Sequence, residues 1–365
     1  MSLWIDLDNS PHVHFFAPII RSLEREGVSY FVTVRSFSQT EELARSYGLK
    51  FVTIGTHRMR HHTVTRIGET AARAWQLGAY VRSRNVTAAV SHNSRALLLA
   101  SYALNIPAMT LYDYEFVFSS FSNRVSRKVV VPSEIPTERL VQQGLRLDKL
   151  ITYPGLKEEV YVYDFRPQAD ILNQLGLDPE RQIITLRPPQ TWAHYHNQHS
   201  DVLLEALLRR LQQEKDAQVM ILCRTSEQAE AMRSQYALDS APFRMLTKAI
   251  DGLSLMWYSD TVFSGGGTMV REAALLGLNA YSIFAGKLGA ADAALERQGK
   301  LKMIRKIEEI DQLKFEKRVG FPEPKRSNET RDFICEQVVR FAKQGEMRKS
   351  EKTMTCERQP HISHP

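Results

Sequence analysis

Cysteine is scarce in this chain: Cys223, Cys335 and Cys356 are the only three in 365 residues, and they lie far apart. That number and spacing exclude a four-cysteine metal centre and an even disulfide framework, and they fit a reducing compartment. No apolar run reaches the length of a membrane span, and the opening MSLWIDLD reads as a strand without the charged-then-apolar pattern of a signal peptide. The expected location is the cytoplasm, with peripheral contact at a membrane surface kept open. Also missing is a long block of Lys and Arg interleaved with aromatics. The balance is basic, 48 Lys and Arg against 41 Asp and Glu for a net charge of +7, but the charges are scattered. Such a surface favours anionic small molecules over nucleic acid. What remains is an ordinary globular composition, 43% hydrophobic and 24% charged, on a chain longer than one core usually serves. Two domains are expected.

Short apolar runs at 3–7, 30–34, 51–54, 88–90, 108–111, 129–131 and 150–152 alternate with stretches of helical periodicity, and the alternation restarts at 183–186 after a turn-rich segment. Strands alternating with helices predict parallel sheets covered on both faces. The expected domains are 1–155 and 156–325, followed by a helix over 326–344 and a disordered polar tail over 345–365. Two doubly wound sheets predict ligand binding outside the strand carboxyl ends, in a cleft between the domains. The polar clusters that directly follow strands are therefore the candidates.

The most informative cluster is Ser264-Gly265-Gly266-Gly267-Thr268, between a run ending at Ser264 and a breaker-free helical stretch. Glycine permits positive φ and close backbone approach, and the helix beyond it offers N–H groups and a positive dipole end, a combination suited to phosphate or diphosphate. Glu272, in that helix, is placed to accept from sugar hydroxyls. A Gly-rich turn that only lets helix and sheet pack closely is the competing reading. Arg187 and Arg224, each leaving a strand, are candidate phosphate partners. His194 and His196 lie in the same donor-rich loop as Arg187, and with no third ligand cluster at sensible spacing no metal is expected. In the first half, Asp8 and His12 follow the first strand. Histidine titrates near neutrality and is a natural general base, with Asp8 as the acid that orients it. An Asx-type turn cap at Asp8 or Asn9 and a helix-start imidazole at His14 are the structural alternatives. His57, Arg58, Arg60, His61 and His62 form a basic loop read as solvated surface, Trp4 and Trp257 as core residues, and Glu158-Glu159 as a charge pair at the domain link.

Three segments, Asp6–Phe16, Arg187-Pro188-Pro189 with Ala193–Asn197, and Ser264–Ala273, resemble a prokaryotic family of unassigned function. That family is similar to GT-B glycosyltransferases and to UDP-N-acetylglucosamine epimerases. The resemblance covers residues 1 to about 301 and implies a GT-B-like α/β fold of two Rossmann-like parallel-sheet domains. The first would be the acceptor side and the second the nucleotide-sugar side. In the lipid II N-acetylglucosaminyltransferase a glycine-rich turn precedes the His-Val matched by His12-Val13, and here Asn9-Ser10-Pro11 replace it. The resemblance places a nucleotide diphosphate on the Gly265–Gly267 turn and its ribose on Glu272. It implies a nucleotide-sugar donor, UDP-sugars favoured, and no cofactor, since helix dipole and arginines can neutralise a leaving diphosphate without metal. The expected activity is glycosyl transfer to a sugar or lipid-linked acceptor in surface polysaccharide or glycoconjugate synthesis. A non-hydrolysing epimerase using Asp113 or Glu115, and a non-catalytic binding or assembly protein, are the alternatives.

Overall fold

Leu3, Trp4, Ile5 and Leu7 of the first strand, Ser2–Leu7 (β1), are all buried, as a strand covered on both faces requires. Trp4 also places its indole N–H on Thr33 Oγ1 at 2.9 Å, so a fully buried ring keeps its donor satisfied. The computed structural model describes residues 2–37, 39–56, 63–189, 197–236, 238, 240–248, 250–323 and 326–357, with no side chain described at 63–66 or 350–357. These form two units, one of residues up to Lys157 together with those from Glu329 onward, the other Glu158–Asn328.

In the first unit β1 is joined by Tyr30–Ser36 (β2), Phe51–Thr56 (β3), Val86–Ser91 (β4), Ala108–Leu111 (β5), Lys128–Pro132 (β6) and Leu150–Tyr153 (β7). Between them run helices Ser10–Arg25 (α1), Thr40–Ser46 (α2), Thr63–Arg82 (α3), Arg95–Ala103 (α4), Ser120–Val125 (α5) and Thr137–Gln142 (α6). The seven strands are parallel, in the order β3-β2-β1-β4-β5-β6-β7. α1 starts earlier than expected. Asn9 is its N-cap and accepts from the Ser10 N–H, and Pro11 fits the first turn, so the turn expected over Asp8–His14 is helix from Ser10 on.

The second unit opens with Glu159–Val162 (α7) and Asp170–Gln174 (α8) and holds Ile183–Arg187 (β8), Gln218–Leu222 (β9), Phe243–Leu246 (β10), Thr261–Ser264 (β11), Ala280–Ser282 (β12) and Lys302–Met303 (β13). Its other helices are Gln198–Leu211 (α9), Ser226–Tyr236 (α10), Gly252–Tyr258 (α11), Gly267–Leu275 (α12), Ala290–Arg297 (α13) and Ile307–Asp311 (α14). The sheet is again all parallel, in the order β10-β9-β8-β11-β12-β13. One core packs Ile184, Leu186, Val219, Ile221 and Phe263 of the sheet against Leu203, Leu207 and Leu211 of α9. Trp257 is not a core residue. It is half-buried in an aromatic group, stacked on Phe321 with ring centroids 5.5 Å apart.

The last helix, Glu329–Glu357 (α15), returns to the first unit, where it packs on α1 and β4. Where a tail was expected from 345, helix continues through Glu357, and 358–365 lie outside the described residues. Gly345 does not end the helix, because its lack of a side chain serves close approach. A Cβ there would stand 2.7 Å from the Thr87 carbonyl oxygen. Among the described residues no helix is long and apolar enough to cross a membrane.

Candidate functional site

Both sheets share the doubly wound strand order, whose direction of winding reverses between β1 and β4 in one unit and between β8 and β11 in the other. Ligands of such sheets bind outside the strand carboxyl ends at that reversal. Each unit places a polar cluster there.

In the first unit the cluster rests on Asp6, which is fully buried at the end of β1. Arg73 of α3 grips it in bidentate fashion, Nη1 to Oδ2 at 2.9 Å and Nη2 to Oδ1 at 2.8 Å, and Ser94 and Thr33 each donate a hydroxyl at 2.6 Å. Arg73 Nε donates to the Ile54 carbonyl at 2.9 Å. The neighbouring Gly55 has φ +80°, and a Cβ there would meet Arg73 Cγ at 2.8 Å, so this position needs glycine twice over. Asp8 lies outside that knot. Its Oδ1 faces Arg73 at 3.2 Å and Arg35 at 3.3 Å. Burial nonetheless raises its carboxyl above the usual range, Asp6 adding to the rise while the two arginines oppose it.

His12, in the first turn of α1, accepts the Asp8 backbone N–H on Nδ1 at 3.2 Å. That contact assigns its proton to Nε2 and leaves the ring a donor. Burial, then the nearby His92 and Lys157, push its pKa well below the ordinary histidine value. Asp8 thus orients His12 through its peptide group and not through the carboxylate expected to do so. His92, directly after β4, lies with its ring 4.9 Å from that of His12 and its Nε2 3.3 Å from Asp113 Oδ1. Asp113, after β5, accepts from Lys157 Nζ on Oδ2 at 2.7 Å, and both are buried. Glu115 is buried as well. His14 points elsewhere, its Nδ1 paired with the Tyr47 hydroxyl at 2.7 Å.

In the second unit the Ser264–Gly267 turn leaves β11 and enters α12. The Gly265 N–H donates to the Arg187 carbonyl at 2.8 Å and the Gly266 N–H to Ser264 Oγ at 3.1 Å. Positive φ is not what the glycines supply, since none of the three has it. They supply room. A Cβ on Gly265 would stand 2.5 Å from Pro189 Cγ, one on Gly266 3.2 Å from Arg224 Nη2, and one on Gly267 3.1 Å from Arg271 Nη1. The close-packing reading thus holds for Gly265, while Gly266 brings the bare backbone up to a guanidinium. Gly266 is the N-cap of α12 and, as glycine, has no side chain with which to cap it. Thr268 is in its first turn.

Arg187, the last residue of β8, donates Nη1 to the Leu222 carbonyl at 3.1 Å, and Arg224 donates Nη1 to the Pro188 carbonyl at 2.8 Å. Burial and the neighbouring Arg224 push the Arg187 pKa down to about 9. Two cations and a helix start that opens on glycine therefore converge at one sheet edge. Glu272 is buried in α12 and accepts the Tyr161 hydroxyl at 2.6 Å. Glu158, the first residue of the second unit, is buried, with Oε1 accepting from Arg271 Nε at 3.0 Å. His194, His196 and the basic loop from His57 to His62 lie outside the described residues. Arg73, Lys157 and Tyr161 were not selected by sequence, because none follows a strand directly or sits in a recognisable motif, and Arg35 was passed over although it directly follows the run 30–34.

The fold and the placement of these clusters define a two-unit α/β protein of the Rossmann-like, GT-B-like class. Residues 1–343 match the family described as "Protein of unknown function (DUF354)", and the chain belongs to that family. An uncharacterized protein of Methanocaldococcus jannaschii is 27% identical over 317 residues, 85% of this chain and 89% of that one. In structure the chain is similar to the UDP-GlcNAc 2-epimerase of Methanocaldococcus jannaschii in complex with UDP-GlcNAc and UDP, with a TM-score of 0.72 at 12% identity, covering 93% of this chain and 99% of that one. It is also similar to the UDP-GlcNAc 2-epimerase of Neisseria meningitidis bound to UDP-GlcNAc, with a TM-score of 0.68 at 13% identity, covering 85% and 89%. At these identities the likeness is one of fold, as the sequence resemblance implies.

Proposed function

We propose that the protein binds a nucleoside-diphosphate sugar and acts at its anomeric C–O bond, with glycosyl transfer as the first reading. The observation that carries the proposal is the pairing of Arg187 and Arg224 beside the glycine start of α12, at the strand reversal of the second unit. Two cations confined together, one with a depressed pKa, are stabilised by an anion. A diphosphate supplies that charge and can also accept from first-turn amides. Glu272 is assigned to the ribose. UDP-sugars are the favoured class because the solved structures of similar fold hold UDP and UDP-GlcNAc.

In transfer, an acceptor hydroxyl oxygen bonds to the anomeric carbon while the bond to the diphosphate breaks and the electron pair leaves on phosphate oxygen. Arg187, Arg224 and the α12 amides meet that charge. His12 is assigned as a donor to a substrate oxygen, since its Nδ1 lone pair is already engaged. Asp113 is assigned to the departing hydroxyl proton. The acceptor is a sugar or lipid-linked sugar, as in surface polysaccharide or glycoconjugate synthesis.

Calorimetry with UDP-, GDP- and TDP-sugars tests the platform, and no binding by any of them at millimolar concentration would sink it. Epimerisation is the second reading, favoured by the buried carboxylate, amine and imidazole of Asp113, Lys157 and His92. Incubation with UDP-N-acetylglucosamine in deuterated water separates the two. Deuterium at C2 of the sugar means epimerisation, and its absence together with glycosyl transfer to an added acceptor means transfer.

A further inference from the structure

The function proposed above uses Glu272 but gives no role to the buried contacts that α7 makes with α12. Glu158, the N-cap of α7, and Tyr161, three residues on, lie on one helical face. They grip consecutive residues of α12: Glu158 Oε1 accepts from Arg271 Nε at 3.0 Å, and Tyr161 donates its hydroxyl to Glu272 Oε1 at 2.6 Å. Arg271 is tied from the other side by Asp292, Nη1 to Oδ1 at 3.3 Å. All five side chains are buried. Arg271, neutralised by two carboxylates, anchors the helix. The Tyr161 contact does something different, because it fixes the orientation of a carboxylate next to the proposed diphosphate site.

A carboxylate can only accept hydrogen bonds. Beside a diphosphate it repels the ligand unless the ligand brings donors to it, and a ribose brings two vicinal hydroxyls where a 2′-deoxyribose brings one. The benefit depends on the carboxyl plane, on which the buried Tyr161 hydroxyl at 2.6 Å is a fixed donor. The Tyr161 hydroxyl is itself kept protonated, its pKa pushed well above the tyrosine value by burial, Glu272 and Glu158.

We propose that Tyr161 is a positioning residue: by holding the Glu272 carboxylate it makes this site select ribonucleoside over 2′-deoxyribonucleoside diphosphates. This rests on the nucleotide reading above and adds to it both a residue and a substrate class.

The test is calorimetric, on the full chain, with UDP, 2′-deoxy-UDP and inorganic pyrophosphate as probes. Wild type should bind UDP at least roughly tenfold more tightly than 2′-deoxy-UDP, the scale of one hydrogen bond to a charged group. Tyr161→Phe keeps the buried ring and removes one hydroxyl. It should collapse that ratio to within about twofold and leave pyrophosphate affinity unchanged, whereas a general lesion of the site would weaken all three ligands together. Should Tyr161→Phe fail to fold, Glu272→Asp withdraws the carboxylate from the hydroxyl by one methylene and should collapse the same ratio. A wild type that binds none of the probes overturns the nucleotide reading and this inference with it. A wild type that binds both nucleotides equally, or a Tyr161→Phe protein that keeps the full ratio, overturns the inference alone.

Discussion

Asp6 and Asp8 stand two residues apart at the end of β1 and occupy opposite electrostatic situations. Asp6 is enclosed by four donated hydrogen bonds, two of them from Arg73. Removing Arg73 would leave it a buried charge without its counterion. Arg73→Met should therefore cost about 3–5 kcal/mol in urea denaturation, the range for breaking one side of a buried pair. Asp8 shares its cations and keeps a raised carboxyl pKa. His12 carries the opposite liability. Its pKa is depressed in the folded state, so the unfolded chain takes up a proton first as pH falls below about 6.5. Its contribution to stability is complete above that pH and is lost progressively below it. His12→Gln should flatten the fall in stability between pH 7 and pH 5, read from urea midpoints. Asp8 and His12 were legible in the sequence because they directly follow a strand, and strand ends in a doubly wound sheet are where ligands meet polar groups. Their partners were not. Arg73 reaches Asp6 and Asp8 from α3, and its contact with Asp6 spans 67 positions of the chain, so that only folding reveals it.

At the level of elements, the glycine turn was legible as a strand-to-helix joint, while the reason for each glycine was not. Conformational freedom is the usual expectation, yet the turn uses ordinary backbone angles and needs glycine for clearance from Pro189, Arg224 and Arg271. Those neighbours arrive from the segments that follow β8 and β9 and from α12 itself, which no local pattern announces. The same convergence yields a functional expectation. Arg224→Ala should weaken nucleoside-diphosphate binding about 10- to 100-fold, the scale of one or two charge-assisted hydrogen bonds, and leave free nucleoside unaffected. Calorimetry with UDP and uridine would read the difference. Arg187, with a pKa near 9, adds a pH signature. A bound anion pulls that pKa back up, so binding takes up a proton above about pH 9 and UDP affinity should decline from pH 8 to pH 10. β10 (FRML), β13 (KM) and α7 (EVYV) escaped the sequence reading, since each is short and a charged residue breaks its apolar run.

For the molecule as a whole, both parallel sheets were legible from the repeated alternation of apolar runs and helical stretches. The destination of the last helix was not. Its polar C-terminal half reads as tail, yet α15 packs on α1 and β4, and Lys349 donates Nζ to the Val86 carbonyl at 3.2 Å. Gly345→Val would drive a branched side chain into the Thr87 backbone. Overpacking of this kind typically costs about 1–3 kcal/mol. Hydrogen exchange should show the loss in α1 and β4, with protection of β8, β9 and β11 unchanged.

That returning helix also orders events during synthesis. All seven strands of the first sheet have left the ribosome once Tyr153 is out, but the helix that covers α1 and β4 is made only after Glu158–Asn328. A nascent chain therefore holds an incompletely covered first sheet while the second unit is translated and free to fold whole. Chains stalled shortly after Asn328 should expose the α15-facing surface of α1 to chaperones and proteases, and release of the last helix closes that window.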